Sequence, residues 1–478
     1  MSKFYVTTTI YYVNDVPHIG HAYTTLVGDV ISRYWKLKLG DRNTFFLTGT
    51  DEHGQKIQQV AAEKKLSPKN FADSVVPRFK EAWKALDINY DFFIRTTDPR
   101  HEKVVIKLLK KIRKNGYIYK GIYKGLYCVG CEKFLVESDL VDGKCQLHPN
   151  KKPEYQEEEN YFLKLKELSE RVLNKIENGE YEILPQKRKN EIVSRLKQGV
   201  DDISISRAGV SWGIPLPWDK NHTIYVWVDA LINYFSATQF LRGKKKFWPA
   251  DIHVIGKDIV WFHTVIWQAL LIAAGVELPK VILAHGFFTI DGQKISKSLG
   301  NVISPQQLVE RYGSSDAVRY LLLSASQTGE DADISFQRFD EKYQSDLANG
   351  LGNLVQRVTK LCELKNFVQS FISPNLSNIP NLPSSFSSHL ENFEFNLVLE
   401  ELWKDFGALD AKINLDKPWE KSDDEAGKNL KVYVEKILQL TLPLSICLPL
   451  TATKIQQIFK GPKISAPSTP LFPRLTIA

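Results

Sequence analysis

Three clusters of residues in this chain have types and spacings suited to chemistry. Pro17-His18-Ile19-Gly20-His21 follows the apolar run Phe4–Val13, where a strand hands over to a helix. A helix N-terminus offers unpaired N–H groups and the positive end of the dipole, which together bind anions. His18 and His21 add two imidazoles, and Gly20 permits close approach of the backbone. Far downstream, Lys294-Ile295-Ser296-Lys297-Ser298 lies in a glycine-flanked loop from Asp291 to Asn301. Two ammonium groups on such a loop can close over a triphosphate. The third cluster is made of metal ligands. Cys128-Val-Gly-Cys131 and Cys145-Gln-Leu-His148 read as CxxC…CxxH, two turns that bring four donors to one tetrahedral Zn2+. With no position left open the zinc is structural, holding a small segment that has little core of its own.

A parallel α/β scaffold is predicted to position the first two clusters. Phe4–Thr9 reads as a buried strand, Ala22–Leu39 as a helix ending at Gly40, and Asn43–Leu47 as a second strand leading into the turn Thr48–Gly54. Strand, helix, strand is the rhythm of a parallel sheet, whose ligands gather at the carboxyl ends of the strands. Between about 116 and 220 the texture changes to a Tyr/Gly cluster, the Cys/His region, an acidic stretch and a basic helix. Strand-like runs return at Thr223–Trp227, Ile252–Ile255 and Val281–Leu283, so the α/β domain is split by an insertion. From about 340 the pattern is helical, with an apolar stripe of Leu347, Leu351, Leu354, Val358 and Leu361. A Pro/Ser-rich linker is expected around 374–388, and an extended tail from Gly461.

Composition sets the outer bounds. A chain of 478 residues holds several cores, and 43% apolar with 25% charged residues is ordinary for a globular protein. No apolar run is long enough for a membrane span, and the start has no signal-peptide layout. No membrane partner and a cytoplasmic location are therefore expected. The net charge of +8 is compatible with a polyanionic partner without demanding one. Five cysteines, three of them in the knuckle, argue for metal rather than a disulfide framework. No GxxxxGK[ST] pattern occurs, which removes the P-loop class of nucleotide enzymes.

The imidazole turn and the lysine loop, in this order, resemble the HIGH and KMSKS signatures of class I aminoacyl-tRNA synthetases, with Ile295 where Met is usual. Over residues 1 to about 460 the chain resembles the methionyl-tRNA synthetases. The matching stretches are Ile10-Tyr11-Tyr12, Thr50-Asp51-Glu52-His53-Gly54, Tyr225-Val226-Trp227-Val228-Asp229-Ala230, Gly256-Lys257-Asp258-Ile259, Phe262-His263 and Asp416-Lys417-Pro418-Trp419. The resemblance implies activation of L-methionine by ATP to methionyl-adenylate and pyrophosphate, then transfer to the 3′ end of tRNA(Met). It implies His18, Gly20, His21, Lys294, Lys297, Gly256 and Asp258 at ATP, with Mg2+ on the phosphates. Asp51 would hold the methionine ammonium, and Ile10, Tyr12, Trp227, Ala230, Tyr234, Ile259 and His263 would line the side-chain pocket. Asn353, Arg357 and Trp419 would read the anticodon.

The layout implied is a Rossmann-type catalytic domain in two halves, 1–115 and 221–290, around a connective insertion, 116–220, with the zinc knuckle at about 120–155. A KMSKS loop and stem-contact region follows at 291–340, then an all-α anticodon-binding bundle at 341–460 and the tail 461–478. Tyr11 and Leu231 stand where some members carry proline, and His148 where some carry a fourth cysteine. Many members carry a further C-terminal tRNA-binding module. Its lack before Ala478 gives the expectation of a monomer or of a separate tRNA-binding subunit. The insertion is too short for the editing domain of the leucine, isoleucine and valine enzymes. A catalytically silent tRNA-binding paralogue is the rival from another class, and the intact His18, His21, Lys294 and Lys297 speak against it.

Overall fold

The structure, a computed structural model, describes residues 2–130, 133–135, 140–146, 148, 150, 152–295, 300–369 and 382–475, and only the backbone of Tyr123, Lys133, Phe134 and Lys294. In chain order the elements that matter are β1 (Phe4–Tyr12), α1 (Ile19–Leu39), β2 (Thr44–Asp51), β3 (Phe92–Arg95), α2 (Pro99–Lys114), β4 (Ile118–Cys128), β5 (Lys133–Leu135), β6 (Glu154–Leu163), β7 (Glu182–Leu184), β8 (Ile203–Ser204), α3 (Val226–Phe240), β9 (Ile252–Gly256), β10 (Val281–His285), α4 (Ser315–Leu323), α5 (Asn353–Leu364), α6 (Phe395–Asp416) and α7 (Asp423–Cys447). Two compact units result: residues 1–17, 41–81 and 90–285, and residues 18–40, 82–89 and 286–478.

The first unit is built on a six-stranded sheet in the order β3-β2-β1-β9-β10-β7, with every neighbouring pair parallel. The order reverses between β1 and β9, which is the switch point where open α/β sheets leave a crevice at the carboxyl ends. β2 is buried along its whole length, as a central parallel strand must be. It runs on through Thr48–Asp51, residues expected in a turn, because they pair with β1 and β3. The core gathers Leu108, Leu109 and Ile112 of α2, Leu231 and Ile232 of α3, and Trp267, Leu270 and Leu271. Burying a side chain of this size stabilises by about 1.5–3 kcal/mol each.

Two expectations are corrected here. Thr223–Trp227 is not a strand of the main sheet: the strand there, Asp219–Ile224, belongs to a separate three-stranded antiparallel sheet, and Trp227 lies in α3. A short apolar run buried on all sides looks alike as strand and helix, so periodicity alone could not decide it. β7 lies inside the stretch assigned to the insertion, yet it is the outer parallel strand of the main sheet beside β10. The inserted portion has its own antiparallel sheet, β8-β6-β4-β5.

In the second unit, α1 is tied to α4 and α7 by buried charge. The Asp29 carboxylate meets Arg319 at 2.7 Å and Arg33 at 2.7 Å, and Arg319 Nε donates to the Cys447 carbonyl at 2.7 Å. Burial alone would raise the Asp29 pKa, but Arg319, Arg33 and the Asn89 N–H outweigh it and hold the carboxyl below its usual range. The predicted stripe Leu347, Leu351, Leu354, Val358 and Leu361 is buried throughout. Its first part, Tyr343–Gly352, is a π-helix rather than an α-helix. Of the expected linker, residues 374–381 lie outside the described residues, and Ser384–Glu391 is a helix. Residues 461–475 contain no helix, as expected of the tail.

Candidate active site and metal knuckle

The residues expected around methionine all belong to the first unit and cluster at the carboxyl ends of β1, β2 and β9. Alternation along β1 sends Ile10 and Tyr12 to one face and buries Tyr11 on the other, where it stacks on Phe79 at 5.8 Å. Tyr12 lies in register with Asp51, the last residue of β2, which is buried. Trp227, in the first turn of α3, stacks flat on Phe262 at 3.9 Å, and the Tyr12 ring meets it edge-on at 6.4 Å. Ala230 and Tyr234 follow on α3, both buried. Ile259 closes a short 3₁₀ turn after β9, and His263 sits in a π-helix, Phe262–Ile266. Such bulges concentrate at functional sites, and no sequence signal announced this one.

Tyr234 and His263 lock each other in this cluster. His263 Nδ1 lies 2.9 Å from the Ile259 carbonyl, which can only accept, so Nδ1 carries the proton. His263 Nε2 therefore accepts from the Tyr234 hydroxyl at 2.8 Å. Burial lowers the His263 pKa to about 4, against the opposing pull of the Ile259 carbonyl, so the ring is neutral at physiological pH. Beneath it, buried His253 bonds Thr7 at 2.6 Å and accepts from Trp267 Nε1 at 3.2 Å. A rigid, aromatic, uncharged wall results, which suits a flexible thioether side chain.

The turn after β2 is held from several sides. Glu52 takes a bidentate pair from Arg95 at 2.6 and 2.8 Å, its N–H donates to Thr96, and its carbonyl accepts from Trp212 Nε1 at 2.6 Å. His53 bonds Asp229 of α3 at 2.7 Å, and Asp229 bonds His101 of α2 at 2.8 Å. His53 and Asp229 lie in stretches that match the family in sequence, but neither had an expected role. His101 carried no sequence signal at all. Gly256 ends β9, and Asp258 stands exposed in the following 3₁₀ turn.

The imidazole turn lies in the second unit. His18 caps α1: its Nδ1 accepts from the Gly20 N–H at 3.1 Å, and its own N–H donates to His21 Nδ1 at 3.3 Å. Both rings thus keep their proton on Nε2, and they stack at 3.9 Å. Burial, with His18 beside it, pushes the His21 pKa well below the ordinary histidine value. The pair is a set of neutral N–H donors rather than a pair of cations. Gly20 is required locally, since a Cβ there would lie 2.9 Å from the His18 ring.

The segments flanking the lysine loop reach this turn within the same unit. The Ile19 N–H donates to the Ile303 carbonyl at 3.0 Å, and Tyr23 packs edge-on against Phe288 at 4.9 Å. Phe288–Ile290 and Gln293–Lys294 form a hairpin around Asp291-Gly292, both with positive φ, as a two-residue turn requires. Asp333 fastens it, accepting from the Gly292 N–H at 2.7 Å and from Thr289 at 2.8 Å. Lys297 lies outside the described residues, as does the side chain of Lys294.

In the knuckle, the ligand atoms of Cys128, Cys145 and His148 lie within 4.8 Å of one another, with Cys128 Sγ 4.0 Å from His148 Nδ1. Tetrahedral Zn2+ with usual bond lengths spaces such donors about 3.5–3.8 Å apart, so the trio fits the ion after shifts of an ångström or less. The His148 ring lies against the CxxC turn, where a Cβ on Gly130 would come within 2.5 Å of it. Cys131, the expected fourth ligand, lies outside the described residues. Among the described residues the local apolar cluster is Cys128, Leu135 and Cys145, with Leu126 and Leu140 against it. So small a core needs a staple.

The expected anticodon residues lie in the second unit. Arg357 of α5 donates to Asp410 at 2.9 Å and Asn414 at 2.6 Å, both on α6, and sits 5.2 Å from the centre of the Trp419 ring. Trp419 is 45% exposed, a platform held from one side and open on the other. Asn353, one turn before Arg357, is exposed.

Comparison with known proteins agrees with this geometry. The family described as tRNA synthetases class I (M) matches residues 4–150 and 137–359. The chain is 43% identical to the methionine–tRNA ligase of Caldanaerobacter subterraneus subsp. tengcongensis, over 88% of this chain and 68% of that one. It is 40% identical to the methionine–tRNA ligase of Thermotoga maritima, over 96% of this chain and 75% of that one. The methionyl-tRNA synthetase of Mycobacterium tuberculosis in complex with methionyl-adenylate superposes with a TM-score of 0.89 at 33% identity, covering 99% of this chain and 100% of that one. On sequence and fold alike, the chain belongs to the class I methionyl-tRNA synthetases.

Proposed function

We propose that the chain joins L-methionine to ATP, releasing pyrophosphate, and passes the methionyl group from the adenylate to tRNA(Met). The observation that carries this reading is the neutral aromatic cluster of Tyr12, Trp227, Tyr234 and His263 beside buried Asp51, at the switch point of the sheet. A carboxylate there takes the ammonium, and the ring edges take the sulfur. The methionine carboxylate is already ionised, so no side chain needs to serve as nucleophile or strong base. It attacks the α-phosphorus, and the bond to the pyrophosphate oxygen breaks.

The rate then comes from positioning and from stabilising charge on the α-phosphoryl group and the departing pyrophosphate. His18 and His21 serve as Nε2–H donors to phosphoryl oxygens, while Lys294 and Lys297 neutralise the leaving group. Gly256 and Asp258 serve the ribose. Mg2+ accompanies the triphosphate, as hard oxygen ligands favour. Cys128, Cys131, Cys145 and His148 hold one Zn2+, whose work is to keep the insertion folded.

Trp419 offers an anticodon base a stacking surface, with Arg357 and Asn353 at base edges, as single-stranded readout requires. The division into catalytic halves, insertion, KMSKS region and bundle follows the same reading. Among the described residues no helix is long and apolar enough to cross a membrane, and the enzyme is assigned to the cytoplasm. The test is acylation: with ATP, Mg2+ and labelled methionine, tRNA(Met) should acquire an alkali-labile methionyl ester. Formation of the adenylate without transfer, or no reaction, would refute the assignment.

A further inference from the structure

One buried polar chain is used by none of these steps. His53, Asp229 and His101 are each less than 5% exposed, on three different segments of the first unit. His53 belongs to the turn that follows Asp51, Asp229 sits between Trp227 and Ala230 on α3, and His101 is in the first turn of α2. The carboxylate takes one oxygen to each ring, Oδ2 to His53 Nδ1 at 2.7 Å and Oδ1 to His101 Nε2 at 2.8 Å. His101 Nδ1 lies 2.7 Å from Ser236 Oγ, which is also 3.0 Å from the Asn233 carbonyl. His101 and His53 hold the Asp229 carboxyl below its usual range against the effect of burial, and an ionised carboxylate can only accept, so His53 Nδ1 and His101 Nε2 donate to it.

We propose that His53, Asp229 and His101 are positioning residues for methionine, a buried hydrogen-bonded chain that fixes the distance between the ammonium carboxylate and the side-chain pocket. The proposal rests on the assignment of Asp51 to the ammonium and of α3 to the pocket. Methionine must satisfy both at once, and these belong to segments that meet at Asp229. The pairing also accounts for a charge inside the core. A buried Asp229 carboxylate without partners would carry a large desolvation cost, and the hydrogen bonds from His53 and His101 offset it. The other groups facing the chain do not change the balance. Glu52 is engaged by Arg95, Asp98 accepts from Arg100, and burial raises the pKa of Glu102.

Two measurements test this on the full-length enzyme. In two-dimensional proton–nitrogen spectra of protein labelled with 15N-histidine, the His101 ring, assigned by its loss in His101→Gln, should show a protonated Nε2 at pH 7.5. An unprotonated Nε2 there overturns the bond to Asp229. In pyrophosphate exchange, Asp229→Asn should raise the KM for methionine 10- to 100-fold, the scale expected of misplacement by about an ångström. The KM for ATP should change less than about twofold in the same variant. If Asp229→Asn does not fold, Ser236→Ala removes only the Nδ1 partner and should raise the methionine KM to a smaller extent. An unchanged methionine KM in a folded Asp229→Asn or in Ser236→Ala overturns the positioning role. Wild-type enzyme without methionine-dependent exchange would instead overturn the functional assignment, and the spectra would still decide whether His101 donates to Asp229.

Discussion

Removal of the Tyr234 hydroxyl probes the hydrogen-bonded wall of the pocket most cleanly. Tyr234→Phe keeps the ring and its packing and deletes one donor. His263 Nδ1–H is committed to the Ile259 carbonyl at 2.9 Å, so the ring cannot change tautomer to compensate. Its Nε2, 2.8 Å from the lost hydroxyl and buried, is left without a donor. A buried acceptor stranded in this way costs about 1–3 kcal/mol. His263→Leu strands the Tyr234 hydroxyl instead, at a similar cost of about 1–3 kcal/mol. The double variant strands neither, so its loss should fall short of the sum by about 1 kcal/mol or more. Urea unfolding of the four proteins, with far-ultraviolet dichroism and tryptophan fluorescence giving coincident transitions, measures the coupling. Additivity within about 0.5 kcal/mol would refute the Tyr234–His263 bond.

Acid should destabilise the first unit through His263. Its pKa is about 4 in the fold against 6.5 for the free group, so between these values the unfolded chain binds the proton and the native chain does not. Stability therefore falls as pH drops from 6.5 to 4, by about 3 kcal/mol in all from this group. Buried His253 in the same unit, whose pKa is also lowered, acts in the same direction, and His21 does so in the second unit. His263→Gln should flatten part of the slope in urea titrations at pH 7, 5.5 and 4.5, and an equal slope in both proteins would contradict this. Zinc should be found at one equivalent by elemental analysis. Chelation should speed amide exchange in β4 and in 140–146 far more than in β1, and uniform exchange would count against a local staple. Trp419→Ala should lower kcat/KM for tRNA about 10- to 100-fold, the value of one base stacked on an aromatic ring. Unaltered charging kinetics would remove Trp419 from anticodon reading.

Much of this molecule could be read from its residues. The strand before His18 and the helix after it are legible because apolar period and a Gly40 stop coincide. The knuckle is legible because ligand spacing reports geometry directly, and Cys128, Cys145 and His148 do converge. Legibility failed where burial erases pattern or where geometry is set by tertiary contact. Ile224–Val228 has no period to separate strand from helix, so its sequence alone puts Trp227 on the wrong element. Glu182–Leu184 is too short to announce a strand, although it finishes the sheet. The π-helices around His263 and Tyr343 have no composition of their own. The chain from His53 through Asp229 to His101 joins residues far apart in sequence, and only the fold shows that they meet.

The most direct measurement is pyrophosphate exchange with each of the twenty amino acids in turn, at saturating ATP and Mg2+. Methionine alone should support rapid exchange, with other apolar side chains slower by orders of magnitude. Exchange driven better by another amino acid, or none with methionine, would contradict the account.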